Sequence, residues 1–274
     1  MSSYDLIAFD MDGTLLDSNK NIRESSLAAI HDAAQQGRTI VLSTGRCLAE
    51  LKEFFPKLPD VRYVIGTNGA FLYDIQKRQI VHSSQIPFDI VAEIFSRIQN
   101  YPVMTQILSI DSIVQKDLVA HMADYHLEMY QKTFDMVTVQ PDDIEIYYYQ
   151  RRPPVYKFNI HCQSTEQRKQ LRALLADLPI TMVDSEVTCL ECSLVGITKG
   201  TGLIKLCEHL NISITNTIAV GDSDNDLDIL KTAGLSVAMG NANNSIKQIA
   251  DAIVADNDHD GCAQAIREYL LSSV

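Results

Sequence analysis

The chain has 274 residues and a net charge of -12, with 46% hydrophobic and 21% charged residues. This is long enough for one large domain or two ordinary ones, and the composition is that of a soluble globular protein. The acidic balance argues against nucleic acid and anionic membranes as partners, since binders of either usually present a basic face. No apolar run approaches the roughly 20 residues that span a bilayer, and the N-terminus lacks the features of a signal peptide. We therefore expect a cytoplasmic protein, and the sequence makes no prediction about its oligomeric state.

The first third of the chain alternates strand and helix patterns. Continuous apolar runs predict buried strands in YDLIAFD, RTIVLSTG and RYVIGTNGA. Between them, NIRESSLAAIHDAAQQG has apolar residues at helical spacing and ends at Gly37, and RCLAELKEFF is typical of a helix stopped by Pro56. Buried strands separated by helices indicate a mostly parallel sheet that is covered on both faces.

The middle of the chain interrupts this alternation, and the C-terminal part resumes it. FLYDIQKRQIVHSS has the character of a hairpin, and helices then alternate with strand candidates in a block the size of a small domain. TIAVGDSDND and LSVAMGNA again predict buried strands, each followed by a helix. We predict an α/β fold with a doubly wound, Rossmann-like sheet core over residues 1–84 and 190–274, and an inserted α/β domain over residues 85–189.

Polar side chains stand where three predicted core strands end. Asp10 and Asp12 follow the first strand, Ser43, Thr44 and Gly45 end the second, and a later strand leads into Asp222, Asn225 and Asp226. Ligands of open parallel sheets bind beyond the carboxyl ends of the strands. Several carboxylates in one crevice repel each other unless a cation compensates them. Mg²⁺ is a suitable cation, because it takes a few carboxylates together with water and phosphate oxygens.

The same crevice is predicted to receive a phosphate group. Thr44 offers a hydroxyl, Gly45 a bare backbone N–H, and the helix expected to start near Arg46 a positive dipole end. Lys199 in GITKG supplies a compact positive charge. Each feature alone has an ordinary structural explanation, such as a capped turn or a surface lysine. Their joint order along the chain is what points to phosphoryl chemistry.

These residues resemble the motifs of the haloacid dehalogenase-like phosphatases. DMDGTLLD is similar to their first motif, LSTGR to the second, Lys199 to the third, and GDSDND to the fourth. The Cof-type branch is the most similar, since TGR, NGA (residues 68–70) and a closing segment like DHDGCAQAI recur there. The resemblance covers the whole predicted core, and the inserted block corresponds to the family's cap domain by position and size.

The resemblance implies a role for each site residue. Asp10 would be the nucleophile that forms an aspartyl-phosphate, and Asp12 the general acid and base. Asp10, the backbone carbonyl of Asp12, and Asp222 would hold Mg²⁺. The residues that would bind the phosphate are Thr44, Gly45, Lys199 and Asn225. Asp226 would orient the metal shell or Lys199. Further candidate site residues are Ser43, Arg46 and Asn68.

The implied function is a Mg²⁺-dependent phosphatase of small phosphorylated metabolites, such as sugar phosphates or cofactor precursors. The cap domain would close over the core and select the substrate. Two alternatives remain open from the sequence. One is a phosphomutase with the same nucleophile. The other is a non-enzymatic phospho-accepting switch, although such a domain needs about half this length and has no use for the acid at Asp12.

Overall fold

The computed structural model describes residues 4–272. Its strands, in chain order, are β1 (Leu6–Phe9), β2 (Thr39–Ser43), β3 (Tyr63–Gly66), β4 (Phe71–Asp74), β5 (Gln79–Ser83), β6 (Met104–Leu108), β7 (Ser112–Val114), β8 (Thr138–Val139), β9 (Lys157–His161), β10 (Ile180–Ser185), β11 (Cys189–Leu194), β12 (Thr217–Gly221), β13 (Leu235–Ala238) and β14 (Ala252–Ile253). Its α-helices are α1 (Glu24–Gln35), α2 (Leu48–Leu51), α3 (Phe88–Ile98), α4 (Lys116–Val119), α5 (Gln131–Val137), α6 (Ile144–Arg151), α7 (Thr165–Leu174), α8 (Lys199–Leu210), α9 (Leu227–Thr232), α10 (Asn244–Ile249) and α11 (Gly261–Ala265). Short 3₁₀ turns lie at Phe55–Lys57, Thr67–Gly69, Met122–Tyr125, Glu128–Tyr130, Ile214–Asn216 and Asp224–Asp226, and a π-helical turn, Ile266–Leu270, follows α11.

These elements form two compact units. Unit 1 lies within Met1–Arg46, Glu53–Ser83 and Ile197–Val274. Unit 2 lies within Cys47–Lys52 and Ser84–Gly196.

Unit 1 contains a sheet with the strand order β14-β13-β12-β1-β2-β3-β4-β5. The strands from β14 to β3 pair in parallel, and β4 and β5 add an antiparallel hairpin at one edge. The chain runs from β1 through β2 to β3 on one side, and from β12 through β13 to β14 on the other. The order therefore reverses between β1 and β12, which is where open α/β sheets place their ligands.

The structure confirms the predicted fold class and the strands that frame this point. Every residue of β1 is buried, as the uninterrupted apolar run predicts for a strand covered on both faces. The helix predicted over Arg46 to Phe55 is much shorter, because α2 covers only Leu48–Leu51 and a 3₁₀ turn follows at Phe55–Lys57. Pro56 has no amide hydrogen and disfavours the α conformation at the residue before it, so the segment ends in turns.

Unit 2 contains a mostly antiparallel sheet with the order β10-β11-β9-β6-β7-β8. One face packs into an apolar cluster with side chains of helices α3, α6 and α7, among them Phe95, Tyr148, Leu171 and, from β9, Phe158 and Ile160. On the other face, Met104 and Val114 lie in a second apolar cluster with the helical segment over residues 116–137.

Within residues 4–272 no helix is both long enough and apolar enough to cross a membrane.

Candidate active site

The site is built at the adjoining ends of β1 and β12 in unit 1. The two strands pair in parallel, and Asp10 N–H continues the ladder by donating to the carbonyl of Val220 (3.0 Å). Asp10 and Asp222 therefore lie beyond the carboxyl ends of two neighbouring central strands. Carboxylate oxygens of Asp10, Asp222 and Asp226 all lie within 4.8 Å of one another. The structure thus brings together three acids from segments more than 200 residues apart.

Lys199 is the cation of this cluster. It is the first residue of α8, whose N-cap Thr198 accepts a hydrogen bond from Thr201 N–H (3.1 Å). Its ammonium lies 2.5 Å from Asp10 Oδ1 and 2.7 Å from Asp226 Oδ1, and its side chain has no exposed surface. Burial would lower the pKa of Lys199, but Asp10 and Asp226 raise it above its usual value, so the lysine is charged.

Both carboxylate oxygens of Asp226 accept hydrogen bonds from nearby groups. While Oδ1 receives Lys199, Oδ2 accepts hydrogen bonds from the backbone amides of Asp222 (3.0 Å) and Ser223 (3.2 Å). These contacts tie Asp226 to the turn after β12 and to the lysine. That Asp226 orients Lys199 or the metal shell stays a prediction.

Asp10 and Asp222 both have raised pKa values in this cluster. Burial raises the pKa of Asp10 to about 7, although Lys199 pulls it down. Burial likewise raises the pKa of Asp222 to about 6, against a hydrogen bond from the Thr14 hydroxyl (2.9 Å). Gly13 has a φ of +85°, and a Cβ there would lie 2.5 Å from Asp222 Oδ2, so only glycine lets the loop after β1 approach this closely.

The donor set fits a divalent cation. The clustered side-chain oxygens are all carboxylate, which hard cations such as Mg²⁺ prefer. Burial, and to a lesser extent repulsion by Asp226, raise the pKa of Asp222. Lys199 supplies one positive charge for the three acids, so a bound cation would offset both effects.

Asp12 has a different environment from Asp10, two residues away. Arg46 contacts both of its carboxylate oxygens, with Nε at 2.9 Å and Nη2 at 2.8 Å, and Lys20 Nζ lies 2.8 Å from Oδ1. Burial alone would raise the pKa of Asp12, but the two cations lower it to about 2. Asp12 is therefore a firmly ionised carboxylate in this conformation.

Arg46 was a sequence candidate, whereas Lys20 was missed. Lys20 lies in a turn with a φ of +62°. Nothing in the pattern SNKN separates it from an ordinary surface lysine. Its contact with Asp12 depends on how the loop after β1 folds back.

The residues predicted to bind phosphate differ in their surroundings. Thr44 is buried, and its Oγ1 accepts a hydrogen bond from Arg46 N–H (3.2 Å). Ser43 is also buried, and its hydroxyl meets no partner within the described part of the chain. Asn225 is exposed, and its Oδ1 accepts from Ser223 Oγ (2.7 Å). The helix dipole expected directly after Gly45 is absent there, because α2 begins at Leu48 and is a single turn.

A strained turn lies between the Thr44 loop and the start of α8. Thr67, Asn68 and Gly69 all have left-handed backbone angles, with φ of +48°, +55° and +101°. A β-branched residue rarely adopts such a φ, and strain of this kind gathers at functional sites. Asn68 N–H donates to the carbonyl of Thr44 (2.9 Å), and its Oδ1 lies 3.1 Å from where a Cβ on Gly45 would be.

Gly69 connects this turn to Lys199. A Cβ on Gly69 would clash with the carbonyl oxygen of Thr198. We expect Gly69→Ala to lower stability by at least about 1 kcal/mol through its φ. We also expect a loss of about tenfold to hundredfold in kcat/KM, because the start of α8 carries Lys199 and must shift. Thermal melts and steady-state phosphate release measure the two effects.

Gly37→Ala is the matched control for this change. Gly37 also has a left-handed φ (+78°), but a Cβ there would meet nothing within 4 Å. It should reproduce the part of the stability cost that comes from the left-handed φ and leave kcat/KM unchanged. Equal kinetics in the two variants would contradict a positioning role for the turn.

Comparison with known proteins places this site in a family. A family model described as haloacid dehalogenase-like hydrolase matches residues 7–266. Two similar proteins of Bacillus subtilis are both named 5-amino-6-(5-phospho-D-ribitylamino)uracil phosphatase. YcsE is 29% identical over 270 residues, covering 97% of this chain and 96% of its own. YitU is 30% identical over 272 residues, covering 96% of this chain and 97% of its own.

A solved structure agrees with these matches. A haloacid dehalogenase-like hydrolase from Bacteroides thetaiotaomicron superposes with a TM-score of 0.83 at 26% identity. The match covers 97% of this chain and 99% of that one. The similarity therefore extends over both units and not over the core alone.

Proposed function

This chain belongs to the haloacid dehalogenase-like hydrolases and is a phosphoric monoester hydrolase. We propose that it hydrolyses small phosphorylated metabolites through a phosphoryl–Asp10 intermediate, with Mg²⁺ as cofactor. One observation carries the proposal. The buried ammonium of Lys199 bridges Asp10 and Asp226 beside Asp222, at the switch point of the sheet.

In the proposed reaction Asp10 attacks the phosphorus atom, and the bond from phosphorus to the ester oxygen breaks. Lys199 holds Asp10 Oδ1 at 2.5 Å, so the carboxylate is oriented before the substrate arrives. Lys199, Thr44, Gly45 and Asn225 stabilise the charge on the transferring phosphoryl group. Water then attacks the phosphoryl–Asp10 ester, releases phosphate and restores the carboxylate.

We propose that Asp12 protonates the leaving alcohol and later takes a proton from the attacking water. Arg46 and Lys20 lower the pKa of Asp12 to about 2, so Asp12 must separate from these cations and take up a proton from solvent before it can protonate the alcohol. Arg46 is then a positioning residue that holds Asp12 until substrate binds.

Asp10, Asp222 and the backbone carbonyl of Asp12 would hold the cation. Mg²⁺, when bound, would neutralise these acids and the phosphate charge. The side chain of Asp226 would stay with Lys199 and the turn amides, outside the direct ligand set.

The relatives named above act, by their names, on a phosphorylated ribitylamino uracil. We propose an ester of that general kind, a small phosphorylated cofactor precursor or sugar, with unit 2 as the cap that selects it. The cytoplasmic location and the absence of nucleic-acid and membrane partners stay predictions.

Release of phosphate from para-nitrophenyl phosphate tests the proposal. We expect turnover with Mg²⁺, a loss of at least about a hundredfold after treatment with EDTA, and recovery when Mg²⁺ is restored. Full activity in EDTA would rule out the metal. No phosphate release under any of these conditions would rule out the proposed reaction.

A further inference from the structure

Three backbone carbonyls in the loop after β1, residues 10–16, accept hydrogen bonds from side chains of a much later segment of unit 1. The pairs of donor and carbonyl are Asn241 Nδ2 and Gly13 (2.8 Å), Asn257 Nδ2 and Leu16 (3.0 Å), and Cys262 Sγ and Thr14 (3.3 Å). The two members of each pair are 228, 241 and 248 positions apart. One stretch of chain therefore holds the loop that carries Asp12.

Asn241 uses both ends of its amide. While Nδ2 donates to the Gly13 carbonyl, Oδ1 accepts a hydrogen bond from the Asn257 N–H (3.2 Å). A carbonyl can only accept and a backbone N–H can only donate, so these two partners also fix which end of the amide is the oxygen. Asn241 thus connects Gly13 to Asn257 in a single orientation.

Asn241 is also attached to the end of β12. The N–H of Met239 donates to the carbonyl of Gly221 (3.0 Å), and the N–H of Asn243 donates to the carbonyl of Asp222 (3.0 Å). The residues two positions before and two positions after Asn241 are therefore both bonded to this strand end. Through Asn241, the loop after β1 is tied to the turn that carries Asp222.

Gly13 is the point at which the loop needs a restraint from outside. Its φ is +85°, and glycine allows the peptide groups on its two sides to rotate more freely than any other residue does. Asn241 holds the second of these peptide groups by its carbonyl. That peptide group leads into Thr14, whose hydroxyl donates to Asp222 Oδ1 (2.9 Å). The first peptide group contains the carbonyl of Asp12.

We propose that Asn241 is a positioning residue that sets the Asp12 carbonyl against the Asp222 carboxylate, and with it the affinity of the protein for Mg²⁺. The inference rests on the proposed function, in which these two groups hold the cation. Asn241 stays outside the ligand set, because both ends of its amide are bonded to Gly13 and Asn257. Hydrogen-bond partners that orient metal ligands typically contribute about 10- to 100-fold to metal affinity.

The exposure of Asn241 separates positioning from folding. Its side chain lies at the surface, where water competes for both hydrogen-bond partners and the bond contributes little to stability. Asn241→Leu should therefore fold, with a melting temperature within about 3 °C of the wild type in the absence of Mg²⁺.

A thermal-shift titration with magnesium chloride at constant ionic strength measures Mg²⁺ affinity without turnover. Asn241→Leu should bind Mg²⁺ about tenfold more weakly than the wild type. The Mg²⁺ concentration that half-activates release of phosphate from para-nitrophenyl phosphate should rise by the same factor, with kcat at saturating Mg²⁺ within about threefold. Asn241→Ala should give the same result and replaces the leucine variant if that does not fold.

Asn216→Leu is the matched control. Asn216 Nδ2 donates to Asp5 Oδ2 (3.0 Å), so it joins β12 to β1 at the opposite end of the same two strands. This variant should keep the wild-type Mg²⁺ affinity. Unchanged Mg²⁺ affinity in the Asn241 variants would overturn the inference, and so would an equal loss in Asn216→Leu.

The two readouts keep this test separate from the proposed reaction. Wild-type protein that binds Mg²⁺ about tenfold more tightly than Asn241→Leu but releases no phosphate would sink the reaction and sustain the inference. Mg²⁺-dependent phosphate release with equal Mg²⁺ affinity in both proteins would do the reverse. Wild-type protein whose melting temperature does not respond to Mg²⁺ would overturn the inference.

Discussion

Asp10→Asn should abolish phosphate release, by about 10⁴-fold or more, with the fold intact. The amide keeps the shape of the carboxylate but cannot attack phosphorus or form the acyl phosphate. Lys199 retains its second partner, Asp226, at 2.7 Å, so its buried charge stays paired. Phosphate release from para-nitrophenyl phosphate measures the loss, and circular dichroism with thermal melting measures the fold.

Asp32→Asn is the control for the loss of one negative charge. Asp32 lies on the exposed side of α1, outside the acidic cluster. It should retain wild-type turnover. Substantial turnover by purified Asp10→Asn protein would remove Asp10 from the role of nucleophile.

Asp12→Asn should produce a loss that depends on the leaving group. A general acid contributes about 10²- to 10⁴-fold, and it matters most when the departing oxygen is strongly basic. We therefore expect a loss of about 10³-fold or more for an alkyl phosphate and a much smaller one for para-nitrophenyl phosphate. Steady-state kcat/KM for the two esters, measured on the same preparation, gives the ratio.

Lys20→Met provides the matched comparison for Asp12. It removes one of the two cations that hold Asp12 but keeps the carboxylate and Arg46. The ratio between the two esters should stay close to that of the wild type. Equal losses for both esters in Asp12→Asn would show that Asp12 acts through structure or metal binding and not as an acid.

Much of the core was predictable from the sequence because its strands are buried on both faces. β1, β2 and β12 appear as uninterrupted apolar runs, and each is followed at once by polar residues. Parallel neighbours bring their carboxyl ends to one edge, so Asp10 and Asp222 were expected to meet, and they do. The helix after Gly45 was harder to predict, since the apolar spacing of RCLAELKEFF indicates a longer helix than the single turn, Leu48–Leu51, that forms.

By itself, the sequence determined which chemical groups stand at the end of each strand, because hydrophobic periodicity and chain order are local properties. Tertiary structure alone decided which of those groups touch. Lys199 reaches Asp10 across 189 positions of the chain, and Arg46 reaches Asp12 across 34. In these surroundings the pKa of the buried Asp10 is raised, whereas Asp12, two residues along the chain, has a lowered pKa and is firmly ionised. The hydrogen bond from Asn241 to Gly13 is likewise a product of the fold, since residues 228 positions apart meet only when the sheet has formed.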